Sequence, residues 1–452
     1  MTKLRFDAGT LILEGAAPGV VPPQFEYDAR VEKYRAPAVA RRAAVGWLRK
    51  HGVDFEDASS LAKPLDIKLR TAYTPRPYQR EALSAWIGAG MCGTVVLPTG
   101  AGKTFVALGA LDAVRRSALV VAPTIDLMSQ WYSLLVDSFD TEVGILGGGH
   151  HELRDLTVTT YDSAFIYAAD YGNRFDLVIF DEVHHLPSPK LQQIPMMSTA
   201  WNRLGLTATY ERRDGAHEML EFLVGPVVYK LEVDDLKGEY LSDYEIVRIR
   251  TTLTEVEAER YQAAARQYLG FLRRGGIKPF GAGWSQFLKM SAYDADARKA
   301  LIAKQEMKRI VVGSERKLEV LDSLMKQHFA DKVIIFTEHN DLVYRISREF
   351  LIPAITHETK PKERKWILDG FREGDFRAIV TSKVLNEGLD VPSAKIAIIL
   401  SGSASPREHL QRLGRILRKS GDRRTAVLYE VVASATTETG ISARRRKADA
   451  YS

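Results

Sequence analysis

The apolar residues of this chain fall into short blocks that alternate between two spacings. Blocks such as VVLP at 95–98 and DLVIF at 176–180 have the length and β-branched content of buried strands. The block FVALGALDAV at 105–114 carries its apolar residues at the spacing of a helix. Between residues 75 and about 230 the strand blocks are TVVLP, ALVVAP, LTVTTYD, DLVIFDE and RLGLTAT. Strands that alternate with helices predict a parallel α/β sheet.

A second alternation follows a helical interruption. Residues 250–310 lose the strand signal and become helical and basic. Strand blocks return between residues 331 and 432, as KVIIFTEHN, AITHE, FRAIVTS, AKIAIILS and TAVLYEVV. This pattern predicts a second α/β sheet on the far side of a helical insert.

The start of the chain has a different pattern. LRFDAG at 4–9 and TLILEG at 10–15 alternate like the two strands of a hairpin with a glycine turn. VARRAAVGWLRKHG at 39–52 has helical spacing and a glycine stop. We therefore predict a small α+β domain at 1–70 and an α/β domain at 71–240. A helical insert and connector follows at 241–310, and a second α/β domain at 311–452.

Composition narrows the class of protein. Hydrophobic residues make up 45% and charged residues 27% of the 452 positions, as in soluble globular proteins. No apolar run is long enough to span a bilayer, and MTKLRFDAGT lacks the apolar stretch of a secretory signal. Cys92 is the single cysteine, so an intramolecular disulfide and a cysteine metal site are both excluded. We expect an intracellular, cytoplasmic protein with no membrane partner.

The positive charge of the chain is concentrated in one segment. The whole chain has a net charge of +6, and residues 260–317 alone carry +9, which leaves −3 for the remainder. A polyanionic partner is the expectation that follows. The short basic run at 444–447 is more typical of a solvated, mobile end.

The segment LPTGAGKT at 97–104 has the chemistry of a phosphate-binding loop. Small residues between a strand and a helix allow backbone N–H groups to surround phosphate oxygens, while Lys103 adds positive charge and Thr104 a hydroxyl for Mg²⁺. The predicted nucleotide-binding residues of this loop are Pro98, Thr99, Gly100, Ala101, Gly102, Lys103 and Thr104. DEVHH at 181–185 follows another buried strand block, DLVIF at 176–180, so Asp181 is a candidate Mg²⁺ ligand and Glu182 can polarise a water.

Taken together, the motifs of this chain resemble those of superfamily-two helicases. The segments that carry the likeness are RPYQ at 76–79, LPTGAGKT at 97–104, APTIDLMSQW at 122–131, TVTTYDSA at 157–164, FDEVHHLP at 180–187, LGLTATYER at 204–212, VIIFTEHN at 333–340, TSKVLNEGLDVP at 381–392 and QRLGRILR at 411–418. Within that group the chain is similar to the archaeal and bacterial XPB helicases over nearly its full length. The resemblance implies two RecA-like domains that bind ATP and Mg²⁺, a damage-recognition-like N-terminal domain and a thumb-like insert.

The resemblance also implies roles at the nucleotide. Lys103, Asp181 and Glu182 take catalytic roles, together with Gln411, Arg415 and Arg418. Other implied nucleotide contacts are Arg76, Tyr78, Gln79, Gly388 and Asp390. A glutamine has donor and acceptor groups that suit an adenine edge, although an ordinary glutamine at a helix start is the alternative for Gln79. For Arg415 and Arg418 the alternative is a solvated basic helix face.

A further set of residues is predicted to contact nucleic acid or to couple it to ATP hydrolysis. The set comprises Thr124, Thr160, His184, Thr207, Thr209, Arg212, Arg213, Asp214, Arg273, Arg274 and Thr381. Hydroxyl groups after strands suit phosphate oxygens. For Thr207 and Thr209, a simple strand-end turn explains the composition equally well. The family has Arg-Glu-Asp after this segment, whereas this chain has Arg212-Arg213-Asp214, which puts the role of the middle acid in doubt.

Aromatic residues alternate with the basic residues of the thumb-like insert. Tyr261, Tyr268, Phe271, Phe280, Trp284 and Phe287 stand among Arg266, Arg273, Arg274, Lys278 and Lys289. Exposed aromatic side chains beside basic residues suit the binding of single-stranded DNA, because the aromatics stack on nucleobases and the basic residues contact phosphates. Aromatics at helical spacing are also common in a core, and this alternative stays open.

The sequence therefore predicts an ATP-dependent DNA helicase or translocase, and the resemblance implies that it moves 3′ to 5′ and acts in nucleotide excision repair or transcription. The expected partners are single-stranded, forked or damaged DNA and, by resemblance, a repair nuclease, with association to the nucleoid. Two alternatives stay open: a DExH RNA helicase and a DNA-binding scaffold that recruits a nuclease.

Overall fold

The computed structural model describes residues 2–16, 19–71, 74–212, 214–232, 235, 244–278, 281–382, 394–401, 425–436 and 438. The chain divides into two compact units, residues 1–236 and 237–452. Within the described ranges, no helix combines the length and the apolar content needed to cross a membrane. Both sheets with parallel strands belong to the α/β class, so the predicted fold class is confirmed.

The first unit begins with a five-stranded sheet. Its elements are β1 (Thr2–Asp7), β2 (Thr10–Glu14), β3 (Glu26–Asp28), β4 (Lys33–Pro37), α1 (Arg41–Lys50) and β5 (Phe55–Ala58). Strands β1 and β2 form the predicted antiparallel hairpin, with Leu4 opposite Leu13. Their buried leucines pack with Ala44, Val45 and Leu48 of α1, so one apolar core holds the helix on the sheet.

An eight-stranded sheet forms the rest of the first unit. Its strands are β6 (Cys92–Val96), β7 (Ala118–Ala122), β8 (Gly144–Gly147), β9 (His150–Glu152), β10 (Leu156–Thr160), β11 (Leu177–Asp181), β12 (Asn202–Thr207) and β13 (Val227–Lys230). Its helices are α2 (Pro77–Gly88), α3 (Lys103–Val114), α4 (Ile125–Phe139), α5 (Tyr161–Tyr171), α6 (Gln193–Met196) and α7 (Met219–Leu223). The strand order is β13-β6-β12-β11-β7-β10-β8-β9, and only β8 and β9 pair antiparallel.

The second unit contains a six-stranded parallel sheet and a group of three helices. In chain order its elements are β14 (Tyr244–Thr251), α8 (Glu255–Arg274), α9 (Gly281–Tyr293), α10 (Ala295–Val312), α11 (Glu315–Gln327), β15 (Val333–Phe336), α12 (Asn340–Phe350), β16 (Ala354–Ile355), α13 (Pro361–Glu373), β17 (Ala378–Thr381), β18 (Ile396–Ile399) and β19 (Ala426–Ala433). The strand order is β14-β19-β18-β15-β17-β16. We refer to α8–α10 as the helical segment.

Seven strands were not predicted from the sequence. They are β3, β4, β5, β8, β9 and β13 of the first unit and β14 of the second. Strand β14 precedes the helical segment and pairs along its whole length with β19, which lies about 180 residues later in the chain. Its sequence, YEIVRIRT, mixes apolar and charged residues, and the strand lies at the edge of the sheet.

Candidate nucleotide site

The carboxyl ends of the parallel strands of the first unit bring the predicted motifs to one edge of the sheet. The segment at 97–102 follows β6, Asp181 ends β11 and Thr207 ends β12. In the strand register, Val96 lies opposite Thr207 and Asp181 opposite Leu206, so these three strands end side by side. Ligands of open α/β sheets bind at this carboxyl edge.

The phosphate loop has a backbone conformation that requires glycine. Gly100 and Gly102 have φ values of 86° and 78°, in the left-handed region. A Cβ atom at Gly102 would lie 2.4 Å from Nε2 of Gln79, so a side chain there would displace the end of the glutamine. Helix α3 starts at Lys103, which places its free N–H groups and its positive dipole end at the loop. Thr99 Oγ1 is buried without a hydrogen-bond partner in the described part of the chain, which also fits a bound ligand.

The residues of α2 brace this loop from beneath. The Tyr78 hydroxyl and the Gln79 Nε2 each donate to the carbonyl of Ala101, at 2.8 Å. The Gln79 Oε1 accepts from the backbone N–H of Arg76 at 2.9 Å, and Arg76 Nη1 donates to the Tyr78 hydroxyl at 3.0 Å. Tyr78 and Gln79 are buried. The structure thus gives them a supporting role for the loop, and their contact with adenine stays a prediction.

Lys103 and Glu182 connect the phosphate loop to the DExH segment. Lys103 Nζ lies 3.8 Å from Glu182 Oε1, and both side chains are mostly buried. Glu182 has a φ of 49°, a left-handed conformation that costs free energy for a residue with a side chain. This backbone turn, immediately after β11, holds the carboxylate of Glu182 beside the lysine.

Asp181 occupies an unusual environment for a carboxylate. Oδ2 accepts a hydrogen bond from Trp131 Nε1 and Oδ1 accepts one from the Glu182 backbone, both at 3.0 Å. Burial, reinforced by the negative charge of Glu182, raises the pKa of Asp181 to about 6. The Tyr161 hydroxyl donates to the carbonyl of Asp181 at 2.9 Å. Sequence reasoning missed Trp131 and Tyr161, although both lie within segments that it had selected.

The donor set of the site consists of oxygen atoms. Asp181 offers a carboxylate and Thr104 a hydroxyl, and Mg²⁺ prefers a few oxygen ligands together with water and phosphate oxygens. Among the described residues, no cluster of three or more His, Cys, Asp or Glu side chains is suited to a metal ion. The oxygen donors of Asp181 and Thr104 fit a magnesium ion that arrives with a nucleotide.

A line of hydrogen bonds leads from the DExH segment to the next strand end. His184, which is fully buried, has Nδ1 at 3.4 Å from Glu182 Oε2 and at 3.0 Å from Thr207 Oγ1. The Thr207 hydroxyl donates to the carbonyl of Thr209, so Nδ1 of His184 is the donor toward Thr207. The backbone N–H of Thr209 also donates to Thr207 Oγ1 at 3.1 Å.

Arg212 links the residues after this strand back to the histidine. Its Nη1 donates to the carbonyl of His184 at 2.8 Å, and its Nε and Nη2 form a two-pronged ion pair with Asp214 at 3.0 and 2.7 Å. Arg213 lies outside the described residues, as do Gly388, Asp390, Gln411, Arg415 and Arg418. The structure therefore brings together the predicted residues of the first unit only.

The predicted threonines of the DNA-facing segments also serve the fold. Thr124 caps α4 by accepting from the Leu127 N–H, and Thr160 caps α5 by accepting from the Ser163 N–H, both at 3.2 Å. Thr381 is buried at the end of β17, where its hydroxyl donates to the carbonyl of Ser382. The two caps lie where β7 and β10 lead into α4 and α5, and the contact of these threonines with DNA stays a prediction.

Most aromatic side chains of the helical segment are buried and not exposed to a DNA partner. Tyr261, Tyr268 and Phe287 are buried in a core that α8–α10 share, and Phe271 and Trp284 pack against it. Arg273 and Arg274 end α8 and are exposed. Most of these aromatics therefore hold the helices together, and the arginines remain available to a polyanion.

Comparison with known proteins places this geometry in a family. The model of the Xeroderma pigmentosum group B helicase damage recognition domain matches residues 4–58. The model of the type III restriction enzyme res subunit matches residues 72–212, and that of the helicase conserved C-terminal domain matches 316–420. The DNA 3'-5' translocase XPB2 of Sulfurisphaera tokodaii is 40% identical over 99% of this chain and 100% of its own length. This chain belongs to the XPB helicase family.

Other relatives agree with this assignment. The DNA 3'-5' helicase XPB of Kineococcus radiotolerans is 30% identical over 89% of this chain and 67% of its own length. The Hef helicase domain of Pyrococcus furiosus superimposes with a TM-score of 0.54 at 19% identity, covering 82% of this chain and 98% of that one, which supports the fold alone. As an XPB-type helicase, the chain is an ATP-driven motor that acts on DNA, and the expected family and enzyme class are confirmed.

Proposed function

We propose that this protein hydrolyses ATP with Mg²⁺ to move 3′ to 5′ along DNA, in repair or in promoter opening. The observation that carries the proposal is the contiguous path Lys103–Glu182–His184–Thr207, which joins the phosphate loop to the segment after β12. The direction of movement is that in the names of the relatives from Sulfurisphaera tokodaii and Kineococcus radiotolerans.

Each residue of the path has a defined chemical task. Lys103 and the N–H groups at the start of α3 bind the β- and γ-phosphates, while Thr104 and Asp181 hold Mg²⁺. When bound, Mg²⁺ neutralises charge on the phosphate oxygens. Glu182 accepts a proton from the attacking water. Glu182 lies close to Lys103, so a phosphate group at the lysine competes with this carboxylate.

His184 and Arg212 connect hydrolysis with DNA. A shift of the Glu182 carboxylate acts on His184, and through Thr207 and Arg212 it reaches the segment that follows β12. Arg415 and Arg418 supply positive charge to the transition state from the second half of the chain, and Gln411 belongs to the same motif. The four domains at 1–70, 71–240, 241–310 and 311–452 are part of this proposal. So are a repair nuclease as partner and association with the nucleoid.

The proposal is tested by measuring ATP turnover with single-stranded DNA, duplex DNA or RNA as the stimulant. DNA is expected to stimulate, and Lys103→Ala is expected to abolish turnover while DNA binding persists. Strand displacement on substrates with a 3′ or a 5′ single-stranded tail reads the direction. Stimulation by RNA alone, or displacement from the 5′ tail alone, contradicts the proposal.

A further inference from the structure

Asp181, the residue proposed to hold Mg²⁺, is contacted by side chains from two different helices. Trp131 Nε1, on α4, donates to its carboxylate at 3.0 Å, and the Tyr161 hydroxyl, on α5, donates to its backbone carbonyl at 2.9 Å. Trp131 is 3% exposed and Tyr161 is 4% exposed, so water has little access to either hydrogen bond. A displacement of α4 or of α5 therefore acts directly on the position of Asp181.

These two helices begin at threonines that are predicted to contact DNA. Thr124 caps α4 and Thr160 caps α5. Tyr161 is the first residue of α5, directly after its cap, and Trp131 lies about two turns into α4. Because the hydrogen-bonded backbone of a helix keeps such distances nearly constant, a movement at either cap reaches the aromatic side chain of the same helix.

The strands that lead to these residues lie side by side in the sheet. Strand β7, which precedes α4, lies between β11 and β10. In the strand register, Phe180 of β11 lies opposite Val121 of β7, and Ala122 of β7 lies opposite Thr160 of β10. Asp181 and the starts of α4 and α5 therefore share one stretch of the carboxyl edge.

A glycine turn packs against the first turns of both helices. Gly147, at the end of β8, has a φ of 136°, and a Cβ atom there would lie 2.7 Å from Ser163 Oγ on α5. A Cβ atom at the next residue, Gly148, would lie 3.2 Å from Cγ2 of Ile125, the first residue of α4. The starts of α4 and α5 thus have a common neighbour, which passes a displacement of one helix start to the other.

We propose that Trp131 and Tyr161 are positioning residues that couple DNA binding at the starts of α4 and α5 to the binding of Mg²⁺ and nucleotide at Asp181. The inference rests on the proposed function, because it requires DNA to contact these helix starts. In this role the two side chains touch neither DNA nor nucleotide, and they act through the position of Asp181. This route is separate from the path through His184 and Thr207, which leads to the segment after β12.

The test measures the affinity of the full chain for a 3′-tailed DNA duplex, with and without Mg²⁺ and a saturating non-hydrolysable ATP analogue. The ratio of the two dissociation constants is the coupling factor, and coupled sites typically give factors between about 5 and 150. A loss of DNA affinity that is independent of nucleotide enters both constants and cancels in this ratio. The reciprocal titration of the analogue, with and without DNA, must give the same factor.

The variants remove the two hydrogen bonds one at a time. Trp131→Phe removes the indole donor and keeps an aromatic ring, whereas Tyr161→Phe removes only a hydroxyl. Each variant is expected to bring the coupling factor roughly threefold closer to 1, because a buried hydrogen bond is lost. The DNA-stimulated kcat is expected to fall with the factor. If Trp131→Phe does not fold, Tyr161→Phe decides the outcome alone.

Matched controls remove hydroxyls on the same two helices. The Tyr171 hydroxyl lies 3.1 Å from Nε2 of the exposed His151, and the Ser133 hydroxyl donates to the carbonyl of Ser129 in its own helix. Tyr171→Phe and Ser133→Ala are therefore expected to keep the wild-type factor.

Several results would overturn the inference. One is a wild-type factor in Tyr161→Phe or in a folded Trp131→Phe, even with weaker nucleotide binding, because the aromatic side chains would then only shape the surroundings of Asp181. Another is a factor near 1 in a wild-type protein whose ATP turnover DNA stimulates. A wild-type protein whose turnover DNA does not stimulate refutes the proposed function instead.

Discussion

At the scale of single residues, two aromatic side chains set the chemistry of Asp181. Trp131 donates to its carboxylate and Tyr161 to its backbone carbonyl, and together they enclose it away from water. Burial raises the pKa of Tyr161 as well as that of Asp181. The carboxylate of Asp181 is buried, and a charge on it costs free energy of folding.

We expect Asp181→Asn to stabilise the metal-free protein in a pH-dependent way. The pKa of Asp181 rises on folding from 3.8 to about 6, so folding favours the protonated form. The stability of the wild type therefore falls as the pH rises from about 4 to about 6, and it stays lowered above that. The gain from asparagine, on the order of 1–3 kcal/mol, is expected at pH 8 and should nearly vanish at pH 4. The midpoint of thermal unfolding in EDTA measures it.

The exposed Asp162, which pairs with Lys190, provides the control for this measurement. Asp162→Asn is expected to change the midpoint little at either pH. An equal gain from Asp181→Asn at pH 4 and pH 8 would show that Asp181 is not a buried charge.

We expect Glu182→Gln to separate nucleotide binding from hydrolysis. Turnover should fall by at least about 10²-fold because the base is lost. Affinity for ATP should stay the same or increase, since Lys103 no longer has a carboxylate 3.8 Å away that competes with phosphate. Turnover and equilibrium nucleotide binding are measured side by side, with Lys103→Ala as the variant that loses both. If affinity for ATP fell by more than about tenfold, Glu182 would have a structural role and would not be only the general base.

At the scale of elements, the helical segment combines an apolar core with a basic surface. Its buried residues come from α8, α9 and α10, and Ala433 at the end of β19 joins the same core. The segment is thus packed on the second sheet as well as tied to it by Glu257 and Lys308. Its aromatic side chains stabilise this packing. The exposed basic side chains are therefore the candidates for DNA contact.

We expect the double change Arg273→Ala with Arg274→Ala to weaken DNA binding through phosphate contacts. Each lost contact should flatten the slope of log affinity against log salt by roughly 0.7–0.9. Unrelated DNA sequences should be affected alike, and basal ATP turnover should persist. Binding isotherms at several salt concentrations measure the slope. Lys326→Ala on α11 is the control, because that lysine pairs with Asp322 of its own helix. An unchanged slope would show that both arginines face solvent and do not contact DNA phosphates.

At the scale of the whole molecule, the chain consists of two units that carry different parts of the proposed machinery. The phosphate loop and the DExH segment lie in residues 1–236, whereas the helical segment and QRLGRILR lie in residues 237–452. In the proposed function, the two units contribute different groups to phosphoryl transfer. Hydrolysis is therefore expected to be a property of the complete chain.

We expect Arg415→Ala and Arg418→Ala each to slow hydrolysis by about 10³-fold, since an arginine at the γ-phosphate stabilises charge in the transition state. ATP binding should change far less, because the phosphate loop belongs to the other unit. Turnover and nucleotide affinity of the full chain are compared. Arg444→Ala with Arg445→Ala, in the basic run near the chain end, is expected to leave both unchanged. A parallel loss of affinity would refute the transition-state role.

Local patterns were enough to predict much of this protein. Residues close together in sequence are enough to recognise the strand blocks, the hairpin at β1 and β2, the phosphate loop and the DExH segment. Glycines at positions 100 and 102 could be recognised because a phosphate loop needs their backbone freedom. Local spacing and composition are sufficient for such features, and the family assignment followed from them.

Long-range contacts decided the rest. Strand β14 pairs with β19, and no local pattern predicts this pairing. Its residues fall within the insert and connector predicted at 241–310. Trp131 reaches Asp181, Glu257 reaches Ser314 and Lys308 reaches Glu338 over 50, 57 and 30 residues of sequence. Such pairings depend on how packed elements orient their side chains, which spacing within one element does not encode. The sequence by itself determined the class of fold and the chemistry of the motifs. Only the tertiary structure decided which side chains surround the acids and how the helical segment is fastened to the second sheet.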